Sequence, residues 1–320
     1  MYFTVVIPLY NKKRHIGRAI KSVISQTYQN FEIVIVDDGS TDNGVNEIIK
    51  IEDPRIILIR QENKGVSSAR NRGIDAAKYN YIAFLDADDI WKPNFLESIK
   101  KLIEEYPKAG AYATSYGINN ENGILVPSLN FYSFEEKWYG IVDDYFKYAI
   151  KAPLITASSV VIPKAVFNEI GKFPVGIKRG EDLDMWRRIA LKYDIVYLNE
   201  ICAIYFHDAD NRACKRKSML IDLMVNYSEE ILFENKGLEN YSPYFVEYMI
   251  NNIITKARYL IDEGKAKEAR KLLNKYKYTK LNKKYLTKMY ILSWIPNPIK
   301  ELIYRLKDRS RKDYFSLWKS

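Results

Sequence analysis

Four acidic or basic clusters in this chain have residue types and spacings that could do chemistry. Asp86-Ala87-Asp88 puts two carboxylates one residue apart. Such a pair needs a counter-charge when buried, and hard oxygen ligands suit Mg²⁺ or Mn²⁺. The alternative is a solvated acidic turn that caps the helix starting near Pro93. Asp37-Asp38-Gly39-Ser40 offers a carboxylate to a nucleobase or a ribose hydroxyl, or else forms an Asx-turn followed by a helix cap. Lys64 to Asn71 brings a glycine to a helix start with Lys64 and Arg70 beside it. That segment either faces a diphosphate or is a surface turn with an exposed basic face. Glu181, Asp182 and Asp184 crowd another helix start, where one carboxylate could be a general base or all three could serve the helix dipole. Trp186 lies four residues after Asp182, on the same helix face, as a sugar wall or as core. His207 closes a strand and is a metal or phosphate ligand or a structural histidine. The other histidine, His15, sits in a basic stretch and reads as exposed.

These residues need elements to position them. Phe3–Pro8, Phe31–Val36, Arg55–Arg60 and Tyr81–Leu85 read as apolar strands. Between them, helical spacing runs through Ile16, Ala19, Ile20, Val23 and Ile24, then Val45–Ile51, then Val66–Lys78, and after them Pro93–Tyr106. Continuous apolar strands alternating with helices predict an α/β fold with a mostly parallel sheet covered on both faces. Ligands of such sheets bind beyond the carboxyl ends of the strands. Tyr10-Asn11, Asp37-Asp38 and Asp86 to Asp89 all stand there. Farther on, Ala157–Ile162 and Ile195–Phe206 read as strands and Glu181–Tyr193 as a helix. Beyond Arg212 the pattern is wholly helical.

The 320 residues are 47% hydrophobic and 28% charged, enough for a sizeable core. Two cysteines, Cys202 and Cys214, are too few for a disulfide scaffold or a zinc site of their own. The N-terminal stretch MYFTVVIPLYNKK lacks the zones of a signal peptide, and no apolar run is long enough to span a bilayer, so the expected location is cytoplasmic. The net charge of +10 is uneven. Residues 212–320 hold 24 Lys and Arg against 12 Asp and Glu, and residues 1–211 hold 26 against 28. The expected division is a catalytic domain over 1–211 and a basic helical C-terminal region over 212–320.

In chain order, VVIPLYNK, VDDGSTD, NKGVSSARNRGI, YIAFLDADD and GEDLDMWRRI resemble the motifs of glycosyltransferase family 2. The resemblance covers roughly residues 3–210. It implies the GT-A fold and an inverting, metal-assisted transfer from a nucleotide-sugar donor, usually a UDP-sugar. Pro8, Tyr10, Asp38, Arg70, Asp86 and Ala87 would bind the nucleotide, with Asp38 on the base and Asp86 on the ribose. Asp88 would hold Mg²⁺ or Mn²⁺. In the Glu181-Asp182 pair, Asp182 would be the catalytic base, and Trp186 would sit close to the acceptor. His207 matches the place of a metal-binding histidine, although the family's Tyr-Arg-x-His reads Tyr205-Phe206-His207 here. The family implies a glycan or lipid-linked glycan acceptor in surface polysaccharide or glycoconjugate assembly.

Two rivals stand beside that reading. Nucleotidyl transfer also uses acidic metal sites, but it needs a Gly-rich basic loop after the first strand, where Pro8-Leu9-Tyr10-Asn11 stands. A nucleic-acid-binding protein would use the basic tail, but no recognised binding motif is present. The tail interleaves Ile299, Leu302, Ile303, Leu306 and Trp318 with Lys300, Arg305, Lys307, Arg309, Arg311 and Lys312. That mixture suits either a helix lying peripherally on the anionic inner face of the plasma membrane or a helical subdomain packed on the catalytic domain.

Overall fold

The computed structural model describes residues 1–119, 125–127, 134–177, 179–206, 223–234, 238–296 and 299–300. The chain divides into two compact units, Met1–Leu223 and Met224–Ser320. His207, Cys214, the charge break near Arg212 and the tail beyond Lys300 lie outside the described residues.

The first unit begins with alternating elements: β1 (Phe3–Leu9), α1 (Lys13–Ile24), β2 (Phe31–Asp38), α2 (Val45–Ile49), β3 (Ile56–Gln61), α3 (Val66–Ala76) and β4 (Tyr81–Phe84). Then come β5 (Ile90–Trp91), α4 (Phe95–Glu105), β6 (Ala111–Asn119), β7 (Leu125–Pro127), β8 (Tyr139–Ile141) and α5 (Tyr145–Ala149). A 3₁₀ turn at Ala157–Ser159 leads into β9 (Val160–Pro163), α6 (Lys164–Ile170), α7 (Glu181–Ala190) and β10 (Ile195–Phe206). They build a mixed α/β architecture on one sheet in the order β3-β2-β1-β4-β9-β6-β10-β5. The β3-β2-β1-β4 half is wholly parallel. β9 runs antiparallel to both β4 and β6, and β10 is parallel to β6.

Alternation along the parallel strands sends successive side chains to opposite faces. Val5, Ile7, Ile33 and Ile35 join a core cluster with Ile16, Ala19 and Ile20 of α1 and Phe95, Leu96 and Ile99 of α4. Val34 and Val36 meet Ala69 of α3 on the other face. There Gly73 lets α3 settle onto β1, since a Cβ at that position would lie 2.3 Å from Val6 Cγ1. β3 is the edge strand and only half covered, with Ile57 42% exposed.

The segment read as one strand over Ala157–Ile162 is a 3₁₀ turn followed by a shorter strand. Thr156 and Ser159 form a capping box that tightens the backbone before it can extend. This turn carries Ser158 into the acidic site described below.

The strand order places a topological switch beside β1. The chain moves outward through β2 and β3, then returns to add β4 on the other side of β1. The loops after β1 and β4 therefore diverge from adjacent strand ends, which is where open α/β sheets form their ligand crevice.

The described part of the second unit is helical: α8 (Leu223–Glu234), α9 (Pro243–Asp262), α10 (Ala266–Lys275) and α11 (Lys283–Leu292), with one 3₁₀ turn at Leu238–Asn240. Ser242 caps α9 by accepting from the Phe245 N–H at 3.1 Å. Glu247 of α9 is buried but well satisfied. It accepts from the Thr279 hydroxyl, the Lys280 N–H and the Asn282 amide, and so ties the α10–α11 connection to α9. Among the described residues no helix is long and apolar enough to cross a membrane.

Candidate active site

Four separate segments of the first unit meet at the carboxyl ends of β1, β2 and β4 and at the start of α7. Arg70 is the centre of the arrangement. It sits on the buried face of α3, and its side chain is 4% exposed. Its Nη2 donates to Asp86 Oδ1 at 2.8 Å, and its Nη1 donates to Glu181 Oε1 at 3.1 Å. One guanidinium thus joins the turn after β4 to the first residue of α7, which lies 111 residues beyond Arg70 in sequence. Burial works against the charge on Arg70. Asp86 and Glu181 more than offset it, so its pKa stands above the ordinary value. Its Nε has no partner among the described residues.

The turn Asp86 to Asp89 divides its acids among three tasks. Asp86 takes the Arg70 contact. Asp88 Oδ2 accepts from Lys12 Nζ at 2.6 Å, and the Asp88 carbonyl accepts from Arg18 Nη2 at 2.7 Å. Asp89 turns inward and is 1% exposed. It accepts from the Ser158 hydroxyl and from the Phe206 N–H at 3.1 Å. Ser158 Oγ in turn accepts from the Asp86 N–H at 3.1 Å, and the Ser158 carbonyl accepts from Trp91 Nε1 at 2.7 Å. Burial first, then the neighbouring charges of Asp86 and Asp88, pushes the Asp89 carboxyl well above the usual range. Asp89 and Ser158 therefore brace the turn from behind while Asp86 and Asp88 face the site. Reading the sequence did not single out Lys12, Asp89 or Ser158. The third acid of the string LDADD was the available signal for Asp89; nothing local pointed to Ser158.

The acids at the start of α7 also separate. Asp184 is held by Arg187 at 2.6 Å and Arg188 at 2.8 Å, so it is a structural ion pair within the helix. Glu181 is on Arg70. Asp182 has neither, and its Oδ1 accepts only the Leu183 N–H, at 2.8 Å, among the described hydrogen bonds. Burial, followed by the adjacent Glu181 charge, pushes the Asp182 carboxyl up to about 7, with Arg70 and the Leu183 N–H pulling the other way. A carboxylate poised near neutrality and free of a bonded cation has the properties of a general base.

The remaining predicted residues are placed as follows. Pro8 is buried near the end of β1, and Tyr10 stands just past it, 42% exposed. Asp38 is 3% exposed, and both its oxygens are in use. Oδ1 accepts from Gln61 Nε2 at 2.7 Å and the Lys64 N–H at 2.9 Å, and Oδ2 accepts from the Gly65 N–H at 2.8 Å. Asp38 thereby pins the loop that leads into α3, while Asp37 makes the local turn by accepting from the Ser40 N–H at 3.0 Å. Ala87 packs in the core cluster, so only its backbone remains for a ligand. Trp186 has no exposure and lies edge-on to Phe173, as core beneath the site rather than as an open wall. Its Nε1 has no partner among the described residues.

Among the described residues no three His, Cys, Asp or Glu side chains converge as a metal cage. The donor set fits a different kind of ion site. Asp88 presents a hard carboxylate oxygen that already attracts a cation, the Lys12 ammonium. Mg²⁺ and Mn²⁺ are commonly held by one or two carboxylates, with phosphate oxygens and water completing the shell.

The same arrangement of chain and fold recurs in known proteins. An uncharacterised glycosyltransferase of Rickettsia bellii is 30% identical over 252 residues, covering 78% of this chain and 35% of that protein. Streptococcus pneumoniae glycosyltransferase GlyA is 35% identical over 211 residues, covering 63% of this chain and 30% of that protein. The chain thus spans only a minor part of the length of these curated relatives. Among solved structures, S. aureus TarS residues 1–349 in complex with UDP-GlcNAc superposes with a TM-score of 0.67 at 20% identity, covering 86% of this chain and 79% of that one. At that identity the likeness is one of fold. The family model described as Glycosyl transferase family 2 matches residues 4–171, more than half of the sequence, and the chain belongs to that family.

Proposed function

We propose that the chain is an inverting glycosyltransferase. It moves a sugar from a nucleotide-diphosphate donor, a UDP-sugar, to a hydroxyl of a glycan or lipid-linked glycan in surface polysaccharide or glycoconjugate assembly. The observation that carries this reading is Asp182, a cation-free carboxylate poised near 7 and tied through Glu181 and Arg70 to the acidic turn after β4. Family membership and the likeness to a TarS structure holding UDP-GlcNAc support the donor class.

The reaction is a single displacement. Asp182 takes the proton from the acceptor hydroxyl as its oxygen bonds to the anomeric carbon. The bond from that carbon to the diphosphate oxygen breaks with inversion, and its electron pair leaves on the diphosphate. Arg70, with an unpartnered Nε, supplies positive charge to the donor side, where charge develops. A divalent ion held by Asp88, with His207 as the further ligand implied by the family, would supply Lewis-acid stabilisation of the leaving diphosphate. Tyr10, exposed just past β1, would line the nucleobase with Pro8. Asp38 fixes the backbone N–H groups of Lys64 and Gly65 and so shapes the rim of the nucleotide site.

A thermal-shift screen of UDP-, GDP- and dTDP-sugars with Mn²⁺ or Mg²⁺ tests the donor class. A UDP-sugar with metal should raise Tm, by about 2–3 kcal/mol of stabilisation at a hundredfold excess over Kd. Stabilisation by GDP- or dTDP-sugars alone removes the UDP assignment.

The second unit supports attachment to an anionic membrane surface. From residue 269 to 300 the chain carries nine Lys and Arg and no Asp or Glu. Helix α11 buries Leu286 and Met289 and turns Lys284, Lys288 and Ile291 outward. Ile291 is 59% exposed and Trp294 65%, with the Arg270 guanidinium 4.0 Å over the Trp294 ring. Exposed Trp and Ile beside Lys and Arg suit a lipid headgroup boundary. Flotation with phosphatidylglycerol-containing vesicles should weaken by roughly 2 kcal/mol on Lys284→Gln plus Lys288→Gln, and further on deletion of 296–320. Full flotation by the doubly neutralised, truncated chain removes the membrane role.

A further inference from the structure

We propose that Lys12 is a built-in counter-cation for Asp88 that couples metal binding to donor binding. The ammonium holds the carboxylate and gives it up only when a diphosphate arrives to take the ammonium. This rests on the reading of Asp88 as the metal-holding carboxylate.

The backbone around Lys12 is built to aim it. Asn11 has a left-handed φ of 51°, uncommon for a residue with a side chain. It is held there from both sides: the Asn11 N–H donates to Ser40 Oγ at 3.0 Å, and Asn11 Oδ1 accepts from the Thr41 N–H at 2.7 Å. The Lys13 N–H donates to Asp42 Oδ2 at 2.7 Å. The Lys12 carbonyl accepts from the His15 and Ile16 N–H groups, each at 2.9 Å, and so starts α1. Between these fixed points the Lys12 side chain crosses to the turn after β4 and reaches Asp88 Oδ2 at 2.6 Å. The two side chains are 14% and 13% exposed, so this is not a solvated surface pair. Arg18, on the same helix, is committed to the Asp88 carbonyl rather than to the carboxylate.

A divalent ion can use Asp88 only by displacing that ammonium. Removing one partner of a largely buried pair leaves the other charge uncompensated, which opposes metal binding on its own. A diphosphate removes the opposition, since its oxygens accept from the freed ammonium while they complete the metal's shell. Metal and nucleotide therefore tighten each other, and the coupling is reciprocal. A lysine with no such role, a strut between α1 and the acidic turn, would affect stability without affecting this coupling.

The test is Mn²⁺ binding to the full chain, measured by the electron paramagnetic resonance of free Mn²⁺ with and without UDP. The parent should bind Mn²⁺ weakly alone and roughly tenfold or more tighter with UDP. Lys12→Met should bind Mn²⁺ alone roughly tenfold tighter than the parent and lose most of the coupling. Lys12→Arg, which keeps the cation, should retain it. Lys12→Gln keeps a donor to Asp88 without the charge and carries the test if Lys12→Met does not fold. If Lys12→Met matches the parent in both affinity and coupling while Asp88→Asn loses Mn²⁺, the proposal fails and the metal reading stands. If Asp88→Asn binds Mn²⁺ like the parent, the metal reading itself falls, and the proposal with it.

Discussion

Asp182→Asn should lower kcat by roughly 10²–10⁴-fold, the range expected for loss of a general base, and leave UDP affinity close to the parent value. The amide keeps the size of the side chain and can still accept the Leu183 N–H. What it loses is the capacity to take a proton. The pH dependence gives a sharper signature. With the carboxyl pushed up to about 7, kcat/KM of the parent should climb by about tenfold per pH unit below neutrality and level off above it. An ordinary aspartate would have placed that rise near 4. The residual activity of Asp182→Asn should show no such rise.

Stability responds with the opposite sense. The folded-state value lies above the unfolded one, so between about pH 4 and pH 7 the native chain holds a proton that the unfolded chain has released. Stability should therefore fall as pH rises through that window, and Asp182→Asn should be less sensitive to pH there. Transfer at the parent rate by Asp182→Asn, or a kcat/KM limb that stays near 4, would place the base elsewhere.

Much of this site was legible in the sequence because its local signals agree. FTVVIPL, FEIVIVDD and YIAF are apolar on both faces, as strands in the middle of a parallel sheet must be, and each is followed by the polar residues that the strand end exposes. Glu181-Asp182 sits at a helix start, where local sequence is a strong guide. The legible features are those that a window of a dozen residues contains. The antiparallel insertion of β9 between β4 and β6 is not such a feature, since it depends on pairings with strands that end far earlier in the chain, such as Tyr81 with Pro163 and Tyr112 with Val161. Ser158 reaches Asp86 and Asp89 through that insertion, so its role could not be read from its neighbours. Lys12 illustrates the same limit. Its type and position suit a surface helix start, and only the adjacency of β1 and β4 brings it to Asp88. Trp186 shows the reverse case. Helical spacing placed it on the face of Asp182 correctly, but depth within the fold decides between wall and core, and Phe173 comes from a segment that spacing does not reach.

Arg70→Met should destabilise the first unit strongly, because one guanidinium serves two distant carboxylates. Removing it leaves Glu181, 12% exposed, and Asp86, 30% exposed, without their cation. Breaking a buried pair by deleting one partner costs about 3–5 kcal/mol, and the partial exposure of Asp86 places the expected loss at the lower end. Urea melts should register it as a lower midpoint with an unchanged slope. Arg70→Lys should recover only part of the loss. An ammonium keeps the charge, but it lacks the fork whose two nitrogens reach Asp86 and Glu181 in different directions. The same substitution carries a signed effect on chemistry. Arg70 pulls the Asp182 carboxyl downward, against burial and Glu181, so without it the carboxyl should titrate above its value of about 7. The acid limb of kcat/KM should then move to higher pH in Arg70→Met, and less so in Arg70→Lys, whereas a purely structural arginine would lower the plateau and leave the limb in place. Parent stability together with an unmoved limb in Arg70→Met would show that the bridge between the turn after β4 and the start of α7 does not organise the site.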